Sequence, residues 1–161
     1  GKTSYGLSQD LNMPIPEADQ FIKNYFARYS KVKEFLDAQK EKAKKDGFLT
    51  TLLGRRSYFP NINASNVQLR QYAERSAINA PIQGSAADLI KIAMIAIQRR
   101  LEKEHSESLM IMQVHDELVF DAPAGEVDAL GALVKEEMEG AYKLNVPLKA
   151  DVTAGETWYK N

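Results

Sequence analysis

Apolar residues recur at helical spacing through the first third of the chain. In residues 16–29 they lie three and four positions apart, and Pro16 suits the first turn of a helix. Ser30 can cap a second helix, whose lysine-rich end stops at Gly47. The pattern therefore predicts two consecutive amphipathic helices. Residues 1–9 are typical of the tail of a helix, which predicts that the chain is a fragment of a longer protein.

A small hairpin is predicted after these helices. Residues 48–53 and 57–59 are rich in β-formers and flank a tight turn. The turn carries Arg55 and Arg56, so the predicted hairpin or loop has two arginines at its tip.

Helical spacing resumes after the hairpin and is interrupted by a proline. Residues 67–80 favour a helix, but Pro81 lacks a backbone donor and disfavours helical geometry in the residue before it. Ser85 and Asp88 have the spacing of a capping box, which predicts that a new helix begins there. Residues 89–101 are apolar on nearly all sides, so this second helix is predicted to be buried.

A second hairpin is predicted in the C-terminal half. Residues 109–114 and 118–120 are apolar β-formers, which predicts two buried strands joined by His115-Asp116-Glu117. A turn this short needs positive φ and normally contains Asn-Gly or Asp-Gly, so the three residues break a local rule. Such a violation is typical of a functional site, and adjacent carboxylates beside apolar strands suit a bound cation. An ordinary solvated hairpin tip is the alternative.

Two further elements are predicted after this hairpin. Residues 127–141 return to helical spacing, with three glutamates expected to face water. Residues 148–154 alternate between apolar and polar, which predicts a half-buried strand beside the second hairpin.

Composition limits the chemistry that the chain can perform. A chain of 161 residues with 44% hydrophobic and 27% charged residues favours a single soluble domain. The absence of cysteine and the presence of two histidines exclude thiolate and multi-histidine metal sites, so any metal is held by oxygen. No apolar run approaches about 20 residues and no signal pattern is present, which favours a cytoplasmic protein without a membrane partner.

Charge is distributed unevenly around a net value of −1. Residues 47–87 contain four arginines, no lysine and one acid, whereas residues 101–161 contain 13 acids and five lysines. A local excess of arginine favours bidentate contacts with phosphates or base edges.

Three planar donor groups share a spacing within the arginine-rich segment. Arg75, Asn79 and Gln83 fall at i, i+4 and i+8, which places them along one face of a helix, although Pro81 is expected to put Gln83 just past a kink. The stripe is either a ligand-binding face or a polar face toward solvent, and spacing alone leaves both open.

Five separated groups of motifs occur in a characteristic order. They are Tyr5-Gly6-Leu7-Ser8; Gly54-Arg55-Arg56 with Pro60; Ala73-Glu74-Arg75; Asn79-Ala80-Pro81-Ile82-Gln83-Gly84 with Ala87-Asp88; and Gln113-Val114-His115-Asp116-Glu117. In order and approximate spacing they resemble the C-terminal part of the family A DNA polymerases, the group of bacterial DNA polymerase I. The resemblance covers nearly the whole chain.

The resemblance implies an α+β fold that forms part of a polymerase palm, in which an antiparallel sheet with a central metal-binding hairpin packs on several helices. Residues 1–14 would be the end of the fingers helix and a linker, and residues 15–161 the palm and adjoining helices. The implied activity is template-directed DNA polymerisation, with primer-template DNA and a dNTP as partners, in the bacterial nucleoid or a phage-infected cell.

The resemblance also implies the site residues. Asp116 would be a catalytic ligand of two Mg²⁺ ions, for which carboxylate oxygens are natural ligands, and Glu117 would be a second catalytic acid. His115 would face the primer terminus. The remaining DNA contacts implied by the resemblance are Tyr5, Arg55, Arg56, Arg75, Asn79 and Gln83.

Two departures from the family pattern are informative. Three residues separate Gly1 from Tyr5 where the family has two, so Lys2 is not taken as the nucleotide-binding lysine. That lysine and the aspartate that partners Asp116 are expected upstream. The fragment is therefore predicted to be inactive alone, with uncovered apolar surface and marginal stability, and to need the upstream remainder of the polymerase chain. The alternatives are a non-catalytic duplex DNA-binding module and a nuclease built on His115 and Asp116, which has few catalytic partners.

Overall fold

The computed structural model describes residues 2–104 and 106–158, and in that part helices alternate with short antiparallel hairpins. The strands pair as β1–β2 and β3–β4. This mixture of helices and small antiparallel sheets confirms the α+β class. In chain order the elements are α1 (Ser4–Leu11), α2 (Ile15–Arg28), α3 (Ser30–Asp46), β1 (Phe48–Thr50), β2 (Arg56–Tyr58), α4 (Val67–Lys103), β3 (Leu109–Val114), β4 (Glu117–Asp121) and α5 (Val127–Gly140).

The chain divides into two compact units, Gly1–Ser85 and Ala86–Asn161, called here the N-terminal unit and the C-terminal unit. The division falls within α4. The predicted assignment of residues 1–14 and 15–161 to parts of a polymerase concerns a different boundary and stays a prediction.

Helices α2 and α3 lie where the apolar spacing predicts them. Pro16 occupies the first turn of α2, and α3 ends at Gly47, whose φ of 75° is one that glycine adopts without steric cost. The prediction that Ser30 caps α3 is wrong. Tyr29 alone separates the two helices, so Tyr29 occupies the cap position without a side-chain hydrogen bond and Ser30 is already helical.

The β1–β2 hairpin packs its inner residues into the core of the N-terminal unit. Leu49 of β1 is 1% exposed, and Phe59, directly after β2, is also buried. Alternation along the strands leaves Arg56 on the outer side. The predicted hairpin with an arginine tip is therefore confirmed. Its core cluster consists of Ala43, Leu49, Phe59, Ile62, Ala73 and Ala77.

Helix α4 runs without interruption through Pro81. The predicted break at Pro81, and with it the capping box of Ser85 and Asp88, is wrong. Ser85 lies inside the helix, where its hydroxyl donates a hydrogen bond of 2.5 Å to the Pro81 carbonyl, and Asp88 is 3% exposed. Because proline removes one hydrogen bond from a helix but permits its own φ, tertiary contacts along α4 can keep the helix continuous.

The second part of α4 is buried along one side only. Ala93 and Ile97 are buried, but Ile95 is 53% exposed. The prediction that residues 89–101 are buried on nearly all sides is therefore only partly right, since Ile95 on the outer face is exposed.

By length and composition alone, α4 is sufficient to cross a membrane, with a mean hydropathy of 1.3 over its most apolar window. Among residues 2–104 and 106–158, α4 is the one helix that meets this length and hydropathy criterion. The criterion is weak evidence, because core helices of soluble proteins meet it too, and α4 supplies Ala77 and Ile97 to core clusters.

Strands β3 and β4 form the predicted second hairpin, with a bulge between Met110 and Met112. The prediction that both strands are buried is wrong, because Leu109 and Ile111 of β3 are 62% and 59% exposed and β4 is only half-buried. One side of the hairpin packs on α4 and α5 through Met110, Leu118 and Phe120, and the other side of β3 has no cover in the described residues. This uncovered apolar surface is what the sequence predicts for a fragment.

Residues 148–154 do not form the predicted strand. A strand needs the backbone groups of a neighbour, and here the Ala150 amide donates instead to the Glu139 carboxylate at 3.0 Å. Glu139 is therefore not simply solvated, as predicted for the α5 glutamates. Glu137 also differs from the prediction that it faces water, because Arg100 donates to Glu136 at 2.7 Å and to Glu137 at 3.1 Å. These contacts raise the pKa of Arg100.

The junction between β4 and α5 is fixed by one carboxylate. Glu126 accepts hydrogen bonds from the hydroxyls of Ser106 at 2.5 Å and Ser108 at 2.6 Å and from the Glu107 amide at 3.1 Å. These donors, the Ser106 hydroxyl foremost, lower the pKa of Glu126 from 4.5 to about 2. The carboxylate thereby ties the segment that enters β3 to the start of α5.

Stability is expected to depend on pH through Glu126. Because its pKa is lower in the folded state, the ionised carboxylate stabilises the fold above pH 4.5, and this contribution is lost as the pH falls toward about 2. We expect Glu126→Gln to be less stable than the wild type at pH 7, with a difference that narrows over this range. Urea denaturation at several pH values measures it. Glu107→Gln, which keeps the Glu107 amide, is the control, and an equal pH-dependent loss in the control would contradict the expectation.

Candidate nucleic-acid interface

A stripe of exposed donors lies along α4 in the N-terminal unit. Arg75, Asn79 and Gln83 are all exposed, while Ala77 and Ile78 on the other side are buried. Because the helix continues through Pro81, the three residues share one helical segment, and the kink expected before Gln83 stays a prediction. At 1.5 Å per residue, the stripe spans about 12 Å.

These three side chains make no hydrogen bond or ion pair with residues 2–104 or 106–158. Their neighbours on the same helix, by contrast, are engaged, since Glu74 pairs with Lys44 at 3.3 Å and Arg70 donates to the Ala64 carbonyl at 2.9 Å. The donors of the stripe therefore remain available to a ligand.

Arg75 also borders an open cleft of about 620 Å³ between helices of the N-terminal unit. The cleft floor is apolar and aromatic, with Phe21 and Tyr25 from α2, and its rim carries Lys2, Lys33 and Lys40. All three lysines are paired with carboxylates, Lys2 with Asp10 and both Lys33 and Lys40 with Asp37, so the cleft has no excess of unpaired positive charge at these positions.

The two arginines of the hairpin tip are exposed. The Arg56 guanidinium carbon lies 4.6 Å from the centre of the Phe48 ring, a cation–π contact that holds the side chain beside the hairpin. Arg55 lies in the turn, where its amide donates to the Thr51 hydroxyl at 3.1 Å. Gly54, with a φ of 82°, supplies the left-handed conformation that this turn requires. A planar guanidinium held in this way is suited to phosphate contacts.

Tyr5 is 63% exposed in the first turn of α1. An exposed aromatic ring can stack on a nucleobase. The structure therefore leaves the predicted DNA-contact residues of the N-terminal unit at its surface, on α1, on the β1–β2 turn and on α4.

The C-terminal unit carries the predicted acidic residues at the β3–β4 turn. His115 has a φ of 53°, so the expectation that this turn forces a residue other than glycine into the left-handed region is confirmed. Gln113 donates to the His115 carbonyl at 2.6 Å and supports the turn. Asp116 and His115 are exposed, and Glu117, the first residue of β4, is half-buried.

Asp116 fits the chemistry of one Mg²⁺ ligand, because its carboxylate is a hard-oxygen donor at an exposed hairpin tip. A complete Mg²⁺ site needs more ligands than this one carboxylate. In the described ranges, 2–104 and 106–158, no group of three acidic or histidine residues is close enough to hold a metal. The turn therefore fits as a partial site that needs further ligands.

Two structural contributions were missed at the level of sequence. Ser85 and Gly84 form a contact with the arginine turn, and their position four and three residues after Pro81 is the available signal. Glu126 fixes the approach to β3, and nothing in its local sequence distinguishes it from other surface glutamates.

Exposed donors on a helix and arginines on a neighbouring turn are features of a nucleic-acid-binding protein, and carboxylates at an exposed turn are features of metal-dependent enzymes. The chain belongs to DNA polymerase family A, whose family model matches residues 1–160.

Similar proteins extend this assignment. DNA polymerase I of Mycobacterium bovis is 49% identical over 158 residues, which is 98% of this chain and 18% of that protein. DNA polymerase I of Geobacillus stearothermophilus is 49% identical over 159 residues, 99% of this chain and 18% of that protein. The chain thus spans 18% of the length of these relatives.

A solved structure is also similar. The POL domain of Pol1 from M. smegmatis, in complex with DNA primer-template and dNTP, has a TM-score of 0.87 and 46% sequence identity. The match covers 92% of this chain and 26% of that chain.

Proposed function

We propose that this chain is part of a template-directed DNA polymerase that transfers a nucleotide from a dNTP to a primer 3′-hydroxyl. The observation that carries the proposal is that a member of this family exposes Arg75, Asn79 and Gln83 along one continuous helix, without partners among the described residues. Primer-template DNA, a dNTP and the remainder of the polymerase chain are the proposed partners, and the cytoplasm is the proposed location.

The stripe on α4 would contact the duplex near the nascent base pair. Purine N3 and pyrimidine O2 acceptors occupy similar positions in the minor groove of every correct pair, so donors there can test the shape of a pair without reading its sequence. Arg55 and Arg56 would contact the DNA backbone, and Tyr5 would lie next to the templating base. This division between backbone contacts and groove contacts fits a protein that binds all sequences.

At the β3–β4 turn, Asp116 would ligate Mg²⁺, with Glu117 as a second acid and His115 toward the primer terminus. Two bound Mg²⁺ ions supply nucleophile activation and stabilisation of the leaving pyrophosphate. The part that this chain contributes is the position of the Asp116 carboxylate, which the paired strands and the Gln113 hydrogen bond hold at the tip.

The β3–β4 hairpin would belong to the sheet of a polymerase palm. The exposure of Leu109, Ile111 and Met112 supports this, because a strand with an uncovered apolar side normally packs against further chain. The isolated fragment would then be inactive. A non-catalytic duplex-binding module is the second candidate, favoured by the lack of a three-ligand acidic cluster in the described residues.

Replacing Arg75 tests the duplex-binding proposal that both candidates share. In the whole protein that carries this chain, we expect Arg75→Ala to weaken primer-template binding about tenfold, because a good bidentate contact contributes about 1–3 kcal/mol. Fluorescence anisotropy over a range of salt concentrations measures the affinity. Arg99→Ala, an exposed arginine on the same helix, is the control. Equal losses in the two variants would contradict a specific interface at the stripe.

A further inference from the structure

The side chain of Ser85 joins two elements of the N-terminal unit. Its hydroxyl donates to the Pro81 carbonyl at 2.5 Å and accepts from the Leu52 amide at 2.9 Å. Both the donor and one acceptor position of the hydroxyl are therefore used. Ser85 is 7% exposed, and the contact to Leu52 joins residues 33 positions apart. One buried hydroxyl thus connects α4, at its proline, with the turn that carries the two arginines.

Gly84, which precedes Ser85, allows α4 and the arginine turn to approach closely. A Cβ atom on Gly84 would lie 2.7 Å from the Thr51 Cγ2 methyl, a separation that real Cβ atoms essentially never show. Thr51 is 6% exposed. A side chain at position 84 therefore requires that the Thr51 side chain, or the turn that carries it, shifts away from the helix.

Thr51 in turn closes the arginine turn on itself. Its hydroxyl accepts from the Arg55 amide at 3.1 Å, its own amide donates to the Arg55 carbonyl at 3.0 Å, and its carbonyl accepts from the Gly54 amide at 3.0 Å. Residues 51–55 therefore form a loop closed by three hydrogen bonds, and its inner end contacts Gly84 and Ser85.

We propose that Ser85 is a positioning residue, which with Gly84 fixes the Arg55-Arg56 turn relative to the donor stripe of α4 so that both bind one duplex. The inference rests on the proposed DNA binding of the chain. Gln83 belongs to the stripe and directly precedes Gly84, so the last donor and the docking point of the turn are adjacent on one helix. Movement of the turn would change the spacing between backbone contacts and groove contacts.

Amide hydrogen exchange tests the docking contact itself. In the whole protein that carries this chain, we expect Ser85→Ala to speed exchange of the Leu52 amide, because its acceptor is removed, and Ser85→Thr to keep it protected, because the hydroxyl remains. Unchanged exchange at Leu52 in Ser85→Ala would overturn the proposal, whatever the protein does with DNA.

Duplex affinity tests the positioning role. We expect Ser85→Ala to weaken primer-template binding about three- to tenfold, the effect of losing one hydrogen bond, and Ser85→Thr to restore it. In a protein already carrying Arg55→Ala and Arg56→Ala, Ser85→Ala should have no further effect, because the turn no longer contacts DNA. If Ser85→Ala weakens duplex binding equally in the Arg55→Ala and Arg56→Ala protein, the cause is a general structural defect. That result would overturn the positioning role of Ser85.

A second pair of variants changes the separation between α4 and the arginine turn and leaves Ser85 in place. Gly84→Ala is expected to weaken duplex binding, and Thr51→Ser in the same protein to restore it, since serine lacks the methyl group but keeps the hydroxyl that accepts from Arg55. Failure of this rescue would count against the proposal. Absence of duplex binding in the wild type would instead refute the proposed function, and the Leu52 exchange result would still show whether the docking contact exists.

Discussion

Primer extension by the whole polymerase is expected to fall by a factor of about 100 or more in Asp116→Ala, because loss of a metal ligand removes several kcal/mol of transition-state stabilisation and each 1.4 kcal/mol is tenfold in rate. Primer-template affinity should change much less, since a single carboxylate at the turn is not a phosphate-binding group. Rapid-quench measurements of single-nucleotide incorporation, together with equilibrium binding of the same DNA, separate the two quantities.

Asp121→Ala is the matched control for this experiment. Asp121 is an exposed aspartate at the far end of β4 in the same hairpin, so its loss changes the same charge and the same element. We expect its incorporation rate to stay close to that of the wild type. An Asp116→Ala rate within tenfold of the wild type would refute the metal-ligand role, and equal losses in both variants would point to the stability of the hairpin instead.

Local patterns predicted most of the secondary structure, because the signals lie within a few residues of each other. The apolar spacing of α2, the lysines and Gly47 at the end of α3, and the β-forming runs beside the tight turns of both hairpins are of this kind. The positive φ of His115 also follows from the sequence, because a turn this short requires positive φ and contains no glycine. Each of these features depends on backbone geometry that neighbouring side chains determine.

The errors occurred where distant contacts decide the outcome. Pro81 normally interrupts a helix, but α4 continues through it, and just beyond it Ser85 accepts from the amide of Leu52, a residue that the sequence does not mark as a neighbour. Residues 148–154 alternate between apolar and polar side chains as a strand does. This pattern does not provide the neighbouring strand with which a strand must pair. Burial of β3 was overestimated for the same reason, because apolar composition shows what a segment prefers and not what covers it.

For the candidate interface, spacing placed Arg75, Asn79 and Gln83 on one face but could not decide between solvent and ligand. Continuity of α4 places the three residues on one helix, and their exposure shows that the stripe is accessible. The roles of individual residues in DNA binding and catalysis stay predictions, since they depend on groups that bind to the chain.

The largest stability effect is expected at the centre of the C-terminal unit. Ile97 is fully buried and packs in a cluster with Ala93, Leu101 and three residues of α5. Truncating a buried isoleucine to alanine costs about 2–5 kcal/mol, because the apolar contacts are lost and the cavity closes only partly. Domain stabilities lie at about 5–15 kcal/mol, so Ile97→Ala should remove a large fraction of the free energy of unfolding.

Ile95→Ala provides a control with the same chemical change on the same helix. Ile95 is 53% exposed, so its truncation leaves little cavity, and the gain in intrinsic helix propensity is the same as at Ile97. The difference between the two variants therefore reports burial alone. We expect urea denaturation of the 161-residue chain to show a strongly reduced midpoint for Ile97→Ala and a midpoint near that of the wild type for Ile95→Ala. Equal shifts would mean that the outer face of α4 is covered in solution, because only a covered Ile95 could lose as much stability on truncation as Ile97.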